Sequence, residues 1–421
     1  MTRTSQASRP VVKAGGNGQR TGPLAGIRVV SVDNYFAGNY GPLLLALHGA
    51  DVVKVEAPTG GDALRNDPPY IQADGRTISH AELRLMREKS SIGLDLRSKA
   101  GRAVLGRLVA KADVFWTNIR PKSAARLGID YESVRALRHD IVYASLTGFG
   151  LPGRSIEAFE DAPAFDIIVQ ALAGLMARNA DRDGTPQYNG IAVADQVTSV
   201  FTTLGVAMAL VNRQRTGEGA CVDVSMFDSM LALNEKTLSL FAMDGMVRPP
   251  RLSATNSPFG AYRAADGYVA VGVGGNAVWA RLCKVLGRED LIDDPDLDTG
   301  VKRVAAEESR IRPLMEEWLK SRTVSEATRL LLAGDVPASA VFDVDEPQLL
   351  AQGRRSGVIA DITVGGISKF VVQSPVHFAN GSSQPRSLPS RLGGETAAVL
   401  KRWLGMSAED IKNLRAEGAI A

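Results

Sequence analysis

From Pro23 onward, short β-rich runs alternate with helical patterns. This alternation constrains the chain more than any other feature, because βαβ units place a parallel sheet between layers of helix. GIRVVSVD (26–33) predicts a buried strand, AGNYGPLLLALHG (37–49) a helix ending at Gly49, and ADVVKVEAP (50–58) the next strand. SSIGLDL (90–96), ADVFWTN (112–118) and DIVYASLTGFG (140–150) supply further strands, with helices over 99–111 and 131–139 between them. The layout is an α/β fold of a nucleotide-binding kind. No GxGxxG follows the first strand, however, so the dinucleotide fingerprint is missing where a dehydrogenase needs it. GVGGN (272–276) comes far downstream and lacks the acidic residue that would complete such a motif. It reads as a glycine-rich turn.

A chain of 421 residues exceeds the size at which one core stops growing, so a large domain and a smaller one are expected. Residues 1–22 lack apolar periodicity and are expected to form a disordered tail. Residues 23–214 form the first part of the large domain, 215–245 a linker that carries a short strand, ACVDVS (220–225), 246–335 a small domain, and 336–421 a linker and a C-terminal part that completes the large domain. Pro249, Pro250 and SATNSP mark the second domain's start. A Gly-turned hairpin (357–373) and two helices close the chain. The formal charge of +3, spread along the sequence, predicts no nucleic-acid partner. Every apolar run is broken before the ~20 residues that cross a bilayer, so no membrane partner is expected. Cys221 and Cys283 lie apart in apolar stretches and fit reduced core thiols in a cytoplasmic protein. The four histidines never pair at a ligand interval, and no metal site is expected.

Two acids interrupt apolar segments: Asp166 in PAFDIIVQALAGLM and Asp195 in GIAVADQVTSVF. A carboxylate among Ala, Val, Ile and Phe is costly to desolvate, so it is compensated by donors or put to use. Asp195 stands just before a long helical pattern, where backbone N–H groups and the helix dipole would face it. Asp166 also precedes an apolar helix. Composition alone does not separate a helix cap from a nucleophile in either case. Arg65, Arg97, Arg120, Lys122 and Arg126 fall near successive strand ends, which face the ligand crevice of an open α/β sheet and suit an anionic ligand.

Over residues 23–416 the chain resembles the class III coenzyme A transferases, a family that includes formyl-CoA and carnitine-CoA transferases and the related α-methylacyl-CoA racemase. The resemblance is carried by PLAGIRVVSVDNYFAG, HGADVVKVEAPTGGDALR, the block from EKSSIGLDLR to SAARLGI, IVYASLTGFG, FDIIVQALAGLM, DGTPQYNGIAVAD and RTGEGACVDVSMFDSM, in the family's order. It implies a Rossmann-like large domain, a smaller α+β domain and an interlocked homodimer. It also implies transfer of coenzyme A from an acyl-CoA to a carboxylic acid, with no cofactor beyond coenzyme A as substrate. The family's catalytic aspartate falls on Asp195 and its second acidic position on Asp166. The CoA-contacting positions fall on Phe36, Ala37, Leu94, Arg97, Asn118, Ile119, Arg120 and Arg126. GVGGN is a candidate source of oxyanion donors.

Two departures narrow the activity. The racemase branch needs a histidine immediately before the acid at 166, and Phe165 stands there; a phenyl ring cannot exchange a proton with an α-carbon. SATNSPFG (253–260) occupies the region of the tetraglycine loop of formyl-CoA transferase, which argues against oxalate or formate as substrate. The alternatives to a transferase are a racemase or epimerase, and a CoA-binding protein without catalysis.

Overall fold

The structure is a computed structural model and describes residues 20–73, 75–181, 183–247, 255–379 and 387–420. Most of the expected tail, the two prolines at 249 and 250, and residues 253 and 254 of SATNSPFG lie outside the described residues. The chain divides into two compact units. The first comprises residues 1–175, 190–234 and 352–421, and the second residues 176–189 and 235–351.

Among the described residues of the first unit, six strands form a parallel sheet: β1 (Arg28–Val32), β2 (Asp51–Glu56), β3 (Ser90–Gly93), β4 (Val114–Thr117), β5 (Val142–Thr147) and β6 (Ala220–Ser225). Their order is β3-β2-β1-β4-β5-β6, each pair parallel. The central strands β1, β4 and β5 are buried on both faces, and their sequences RVVSV, VFWT and VYASLT are accordingly rich in apolar residues. Successive residues of β1 point to opposite sides: Val30 joins a core with Val53, Ile92, Phe115, Val399 and Trp403, and Val29 joins another with Val52, Val114, Trp116, Ala194 and Val206. On the first face lie α2 (Lys99–Val109) and α4 (Tyr131–Leu137). On the second lie α1 (Tyr35–Leu47) and α6 (Val193–Thr216). Between these helices in the chain come α3 (Pro121–Leu127) and α5 (Asp166–Leu172).

The C-terminal segment returns to β3. Ser91 N–H donates to Glu395 Oε2 (2.8 Å), Gly93 N–H to Thr396 Oγ1 (3.0 Å), and Leu94 bridges Ile420. These contacts occupy the outer side of an otherwise open edge strand.

Residues 215–245, expected to be a linker carrying the short strand ACVDVS, hold a strand that joins the large sheet and a helix packed on it. Small and β-branched residues in ACVDVS give β6, which pairs along β5, and α7 (Met226–Leu233) is capped by Ser225 Oγ accepting from Asp228 N–H (2.9 Å). The 24 residues of α6 are long and apolar enough to cross a membrane by length and composition. One side of the helix packs on the sheet and on α1, through Ala194, Val206, Ala209 and Leu210.

The second unit contains a three-stranded antiparallel sheet of β7 (Phe259–Arg263), β8 (Tyr268–Gly272) and β9 (Ala338–Ala340). Its core gathers Tyr262, Trp279, Cys283, Met315 and Leu331. GVGGN is the turn from β8 into the helix Asn276–Leu286, with Gly275 at φ +124°, a conformation that side chains oppose.

Candidate active site

Chain order reverses between β1 and β4: successive strands run outward from β1 on one side of that boundary and from β4 on the other. In open α/β sheets the crevice beyond the carboxyl ends of such a pair is where ligands bind. Both strand ends are tied together there: Asn34 N–H donates to Asn118 Oδ1 (2.9 Å), and Asn118 Nδ2 donates to the Asn34 carbonyl (2.8 Å). Helix α1 begins at once, with Tyr35 at φ +59°. It lies so close to β4 that a Cβ on Gly38 would sit 2.7 Å from Asn118 Cγ, and one on Gly41 2.1 Å from the Trp116 ring. Only glycine allows that approach.

A buried ionic cluster supports the first turn of α1. Asp62 accepts from Tyr35 N–H (3.3 Å) and Asn39 Nδ2 (2.7 Å), and Lys54 Nζ lies 3.0 Å from Asp62 Oδ2 while also pairing with Asp33. Burial pulls Lys54 toward the neutral amine, but Asp33, Asp62 and Glu56 outweigh it and raise its pKa. Arg65, grouped by sequence with the anion-binding residues, is engaged otherwise: it pairs with Glu56 (2.6 Å) and Glu82 (2.7 Å). It belongs to this cluster.

The two interrupting acids meet. Asp166 is the first residue of α5 and is 8 % exposed; its Oδ1 accepts from Ala194 N–H (2.7 Å) and Asp195 N–H (3.2 Å). Asp195 is therefore not the cap of its own helix. It lies in the first turn of α6, whose N-cap position is Ala192 with no side-chain cap, and the free N–H groups expected to face Asp195 are taken by Asp166. Among the described residues the Asp195 carboxylate accepts no hydrogen bond. Burial, and then the charge of Asp166, push it up to about 7. Ser199, one turn on, donates to the carbonyls of Asp195 (2.7 Å) and Ala37 (2.8 Å), which docks the start of α6 onto α1.

The other acids between 161 and 195 have partners of their own. Asp161 Oδ1 accepts from Lys122 N–H (3.2 Å), and Asp181 and Asp183 both accept from Thr185 N–H (2.9 Å each).

Of the positions expected to contact coenzyme A, Asn118 and Ala37 lie at the strand-reversal point just described. Phe36 packs with Leu43, Leu47 and Leu85, its ring 4.8 Å from the Arg84 guanidinium carbon. Ile119 N–H is held by Thr117 Oγ1 (3.1 Å). Arg120 stands at the N-terminus of α3 and reaches the Asp161 carbonyl (3.4 Å), and Arg126 in its last turn meets Ser123 Oγ (2.9 Å). Arg97 has 85 % of its side chain exposed and touches Asp95 (3.1 Å). Leu94 differs in kind. At 1 % exposure the whole residue belongs to the core, and its N–H already donates to the Glu56 carbonyl (2.9 Å).

Sequence reasoning missed Gln170 and Ser199, each four residues after an acid on the same helix. The i, i+4 spacing was the available signal. It also missed Asp62, whose partners on α1, Tyr35 and Asn39, lie 27 and 23 residues away.

Comparison with known proteins bears on the whole chain. The family model for CoA-transferase family III matches residues 24–396. The succinyl-CoA:mesaconate CoA-transferase of Haloarcula hispanica is 35% identical over 360 residues, covering 82% of this chain and 89% of that protein. The succinate–glutarate CoA-transferase of Agrobacterium fabrum is 33% identical over 398 residues, covering 90% and 96%. Among solved structures, a CAIB/BAIF family protein from Brucella suis superposes with a TM-score of 0.78 at 28% identity, covering 91% of this chain and 100% of that one.

Proposed function

This chain belongs to CoA-transferase family III, and from that premise we propose that Asp195 is the carboxylate through which it passes coenzyme A from an acyl-CoA to an acid. The enzyme is a class III CoA-transferase. The observation that carries the role of Asp195 is its carboxylate: partly exposed, without a hydrogen-bond donor among the described residues, and with its helix already capped by another acid. A carboxylate that neither caps nor pairs keeps its lone pairs for attack.

In this mechanism an Asp195 oxygen attacks the thioester carbonyl carbon, the C–S bond breaks, and the CoA thiolate leaves behind a mixed anhydride. The thiolate returns to Asp195 Cγ and expels the donor acid as its carboxylate, which leaves an aspartyl-CoA thioester. The acceptor carboxylate then attacks Cγ and releases the thiolate, which attacks the acceptor acyl carbon and regenerates the aspartate. A carboxyl that titrates near neutrality is more nucleophilic once ionised than an ordinary aspartate, but a fraction of it is protonated at neutral pH, so the raised pKa trades reactivity against population.

The strand order β3-β2-β1-β4-β5-β6 supports a Rossmann-like reading of the large domain, with the nucleotide end of coenzyme A at the β1/β4 crevice. Asn118, Ala37, Phe36 and Ile119 line its start, and Arg97, Arg120 and Arg126 are the guanidinium groups for phosphate; Leu94, buried in the core, is left out of the contact set. The Haloarcula and Agrobacterium relatives are named for succinyl-CoA with mesaconate and succinate with glutarate, and on that similarity we assign short dicarboxylic acids as partners.

A homodimer, interlocked as in the family, is the assembled form. It is supported by an apolar stripe on the outer side of α6, where Val200, Leu204, Met208 and Val211 are 48 %, 52 %, 59 % and 59 % exposed. Cys283 is a core thiol as expected, whereas Cys221 is exposed on the edge strand β6; unpaired, both fit a cytoplasmic setting. No membrane partner is assigned, since the inner side of α6 is committed to the core.

Exchange of labelled coenzyme A between succinyl-CoA and free dicarboxylates tests the function. Asp195→Ala is expected to abolish exchange while coenzyme A binding and folding persist; full exchange by that variant would refute the role given to Asp195.

A further inference from the structure

We infer that Gln170 is a positioning residue for the transfer reaction, acting through Asp166 on the first turn of α6; the inference rests on Asp195 being the acyl carrier. Gln170 is 1 % exposed on α5, one turn after Asp166. Its amide nitrogen carries two hydrogens, and both are engaged: Nε2 donates to Asp166 Oδ2 (2.5 Å) and to the Ile191 carbonyl (3.2 Å). The first bond fixes the face of the Asp166 carboxylate so that Oδ1 points at the N–H groups of Ala194 and Asp195. The second holds the segment that enters α6 just before its N-cap, Ala192. One side chain thus clamps the capping acid and the segment being capped.

The geometry decides between roles. A buried amide needs partners, and any local carbonyls would suffice for stability alone. Here the two partners lie on different segments, 4 and 21 residues away in sequence, and both converge on the turn that carries Asp195. Three donors hold the Asp166 carboxylate in place, and its charge is the group acting on Asp195 after burial itself. Among the described residues no other charged group acts comparably on Asp195. Gln170 therefore bears on both the direction of the Asp195 carboxylate and the pH at which it is ionised.

The test uses polarity rather than deletion. Gln170→Glu turns the donor into an acceptor of the same length and sets two carboxyls against each other, so the cap loosens. The expected result is a fall in kcat between about 10- and 100-fold, as for a small misplacement of a reacting group, with the KM for succinyl-CoA within about twofold and the ascending limb of kcat moved to higher pH. The double variant Asp166→Asn/Gln170→Glu restores a donor–acceptor pair with reversed polarity. Its introduced asparagine still offers an oxygen to the α6 N–H groups, and its amide nitrogen donates to the introduced glutamate.

That double variant is expected to regain at least about fivefold of the loss. Gln170→Met, which fills the space without a donor, is read alongside, so that misfolding of one variant leaves another. Wild-type kcat and pH limb in a folded Gln170→Glu or Gln170→Met would overturn the inference, as would a double variant no better than Gln170→Glu. Asp195→Ala, assayed in parallel, separates the two levels: exchange by that variant sinks the nucleophile assignment, whereas its inactivity with unaltered Gln170 variants sinks only the role of Gln170.

Discussion

Asp166 and Asp195 meet at one helix end with their functions divided: the side chain of Asp166 accepts the backbone N–H of Asp195 at 3.2 Å and that of Ala194 at 2.7 Å, while the side chain of Asp195 is left without a donor among the described residues. The first-turn groups that would otherwise bind and quiet Asp195 are satisfied by a neighbouring acid. A like charge sharing the turn also opposes the ionisation of Asp195, and in a poorly solvated place that opposition adds to the effect of burial.

The pH dependence follows with a definite sign. Asp195 must be ionised to attack, and its carboxyl titrates at about 7, so kcat/KM is expected to rise with pH through that value. Asp166→Asn removes the like charge, ionisation becomes easier, and the ascending limb moves to lower pH by up to about one unit, alongside a lower kcat. A profile between about pH 5 and 9 checks this; a limb that stays put in Asp166→Asn contradicts the coupling.

The same group limits stability. Its folded pKa lies above the ordinary carboxylate value, so the folded state binds the proton more tightly, and stability falls as pH rises from about 4 to about 7. Asp195→Asn escapes that loss. Its Tm is expected to exceed wild type by about 2–4 °C at about pH 8 and to converge with wild type at about pH 4, read by calorimetry.

Asn118 is expected to affect binding more than chemistry. Asn118→Ala leaves the Asn34 N–H and carbonyl without their partners at the mouth of the strand-reversal crevice. The KM for acyl-CoA should rise by about tenfold, with kcat changed less than about threefold. Steady-state kinetics distinguishes this from the reverse split.

Lys54 is structural. Lys54→Met would strand Asp33 and Asp62 as buried carboxylates beneath α1 and is expected to destabilise the fold by on the order of 3–5 kcal/mol, measured by urea unfolding. A stable variant would show that the cluster is dispensable to the placement of α1.

Much of the fold was legible because the strands carry strong local signals: apolar runs buried on both faces, Gly49 and Pro58 as stops, and the helical period over 99–111 and 131–139. The sixth strand was visible as ACVDVS, yet its membership in the sheet depends on Ala220 pairing with Val142, a partner remote in sequence, so 215–245 read as a linker. The extended hairpin Tyr70–Ala73/Arg76–Ser79 was not foreseen; its four-residue strands are too short for a period to register.

At the site, the two acids stood out because each interrupts an apolar run, but which acid caps and which is left over is a matter of tertiary contact. Asp166 and Asp195 are 29 residues apart, and nothing local reports that one serves the other's helix. Arg65 marks the opposite error: its place near a strand end suggested an anionic ligand, while its ion pairs with Glu56 and Glu82 account for it; Leu94, placed at the ligand by the family resemblance alone, is buried.

Trapping the acyl-enzyme decides whether Asp195 carries the acyl group. Succinyl-CoA is added without acceptor, the reaction is quenched, and hydroxylamine converts any activated aspartyl carbonyl to a hydroxamate before peptide mapping by mass spectrometry. The modification is expected on the peptide containing Asp195, at that residue, and is expected to be lost in Asp195→Ala. Modification at Asp166 instead, or turnover with neither acid modified, would contradict that role.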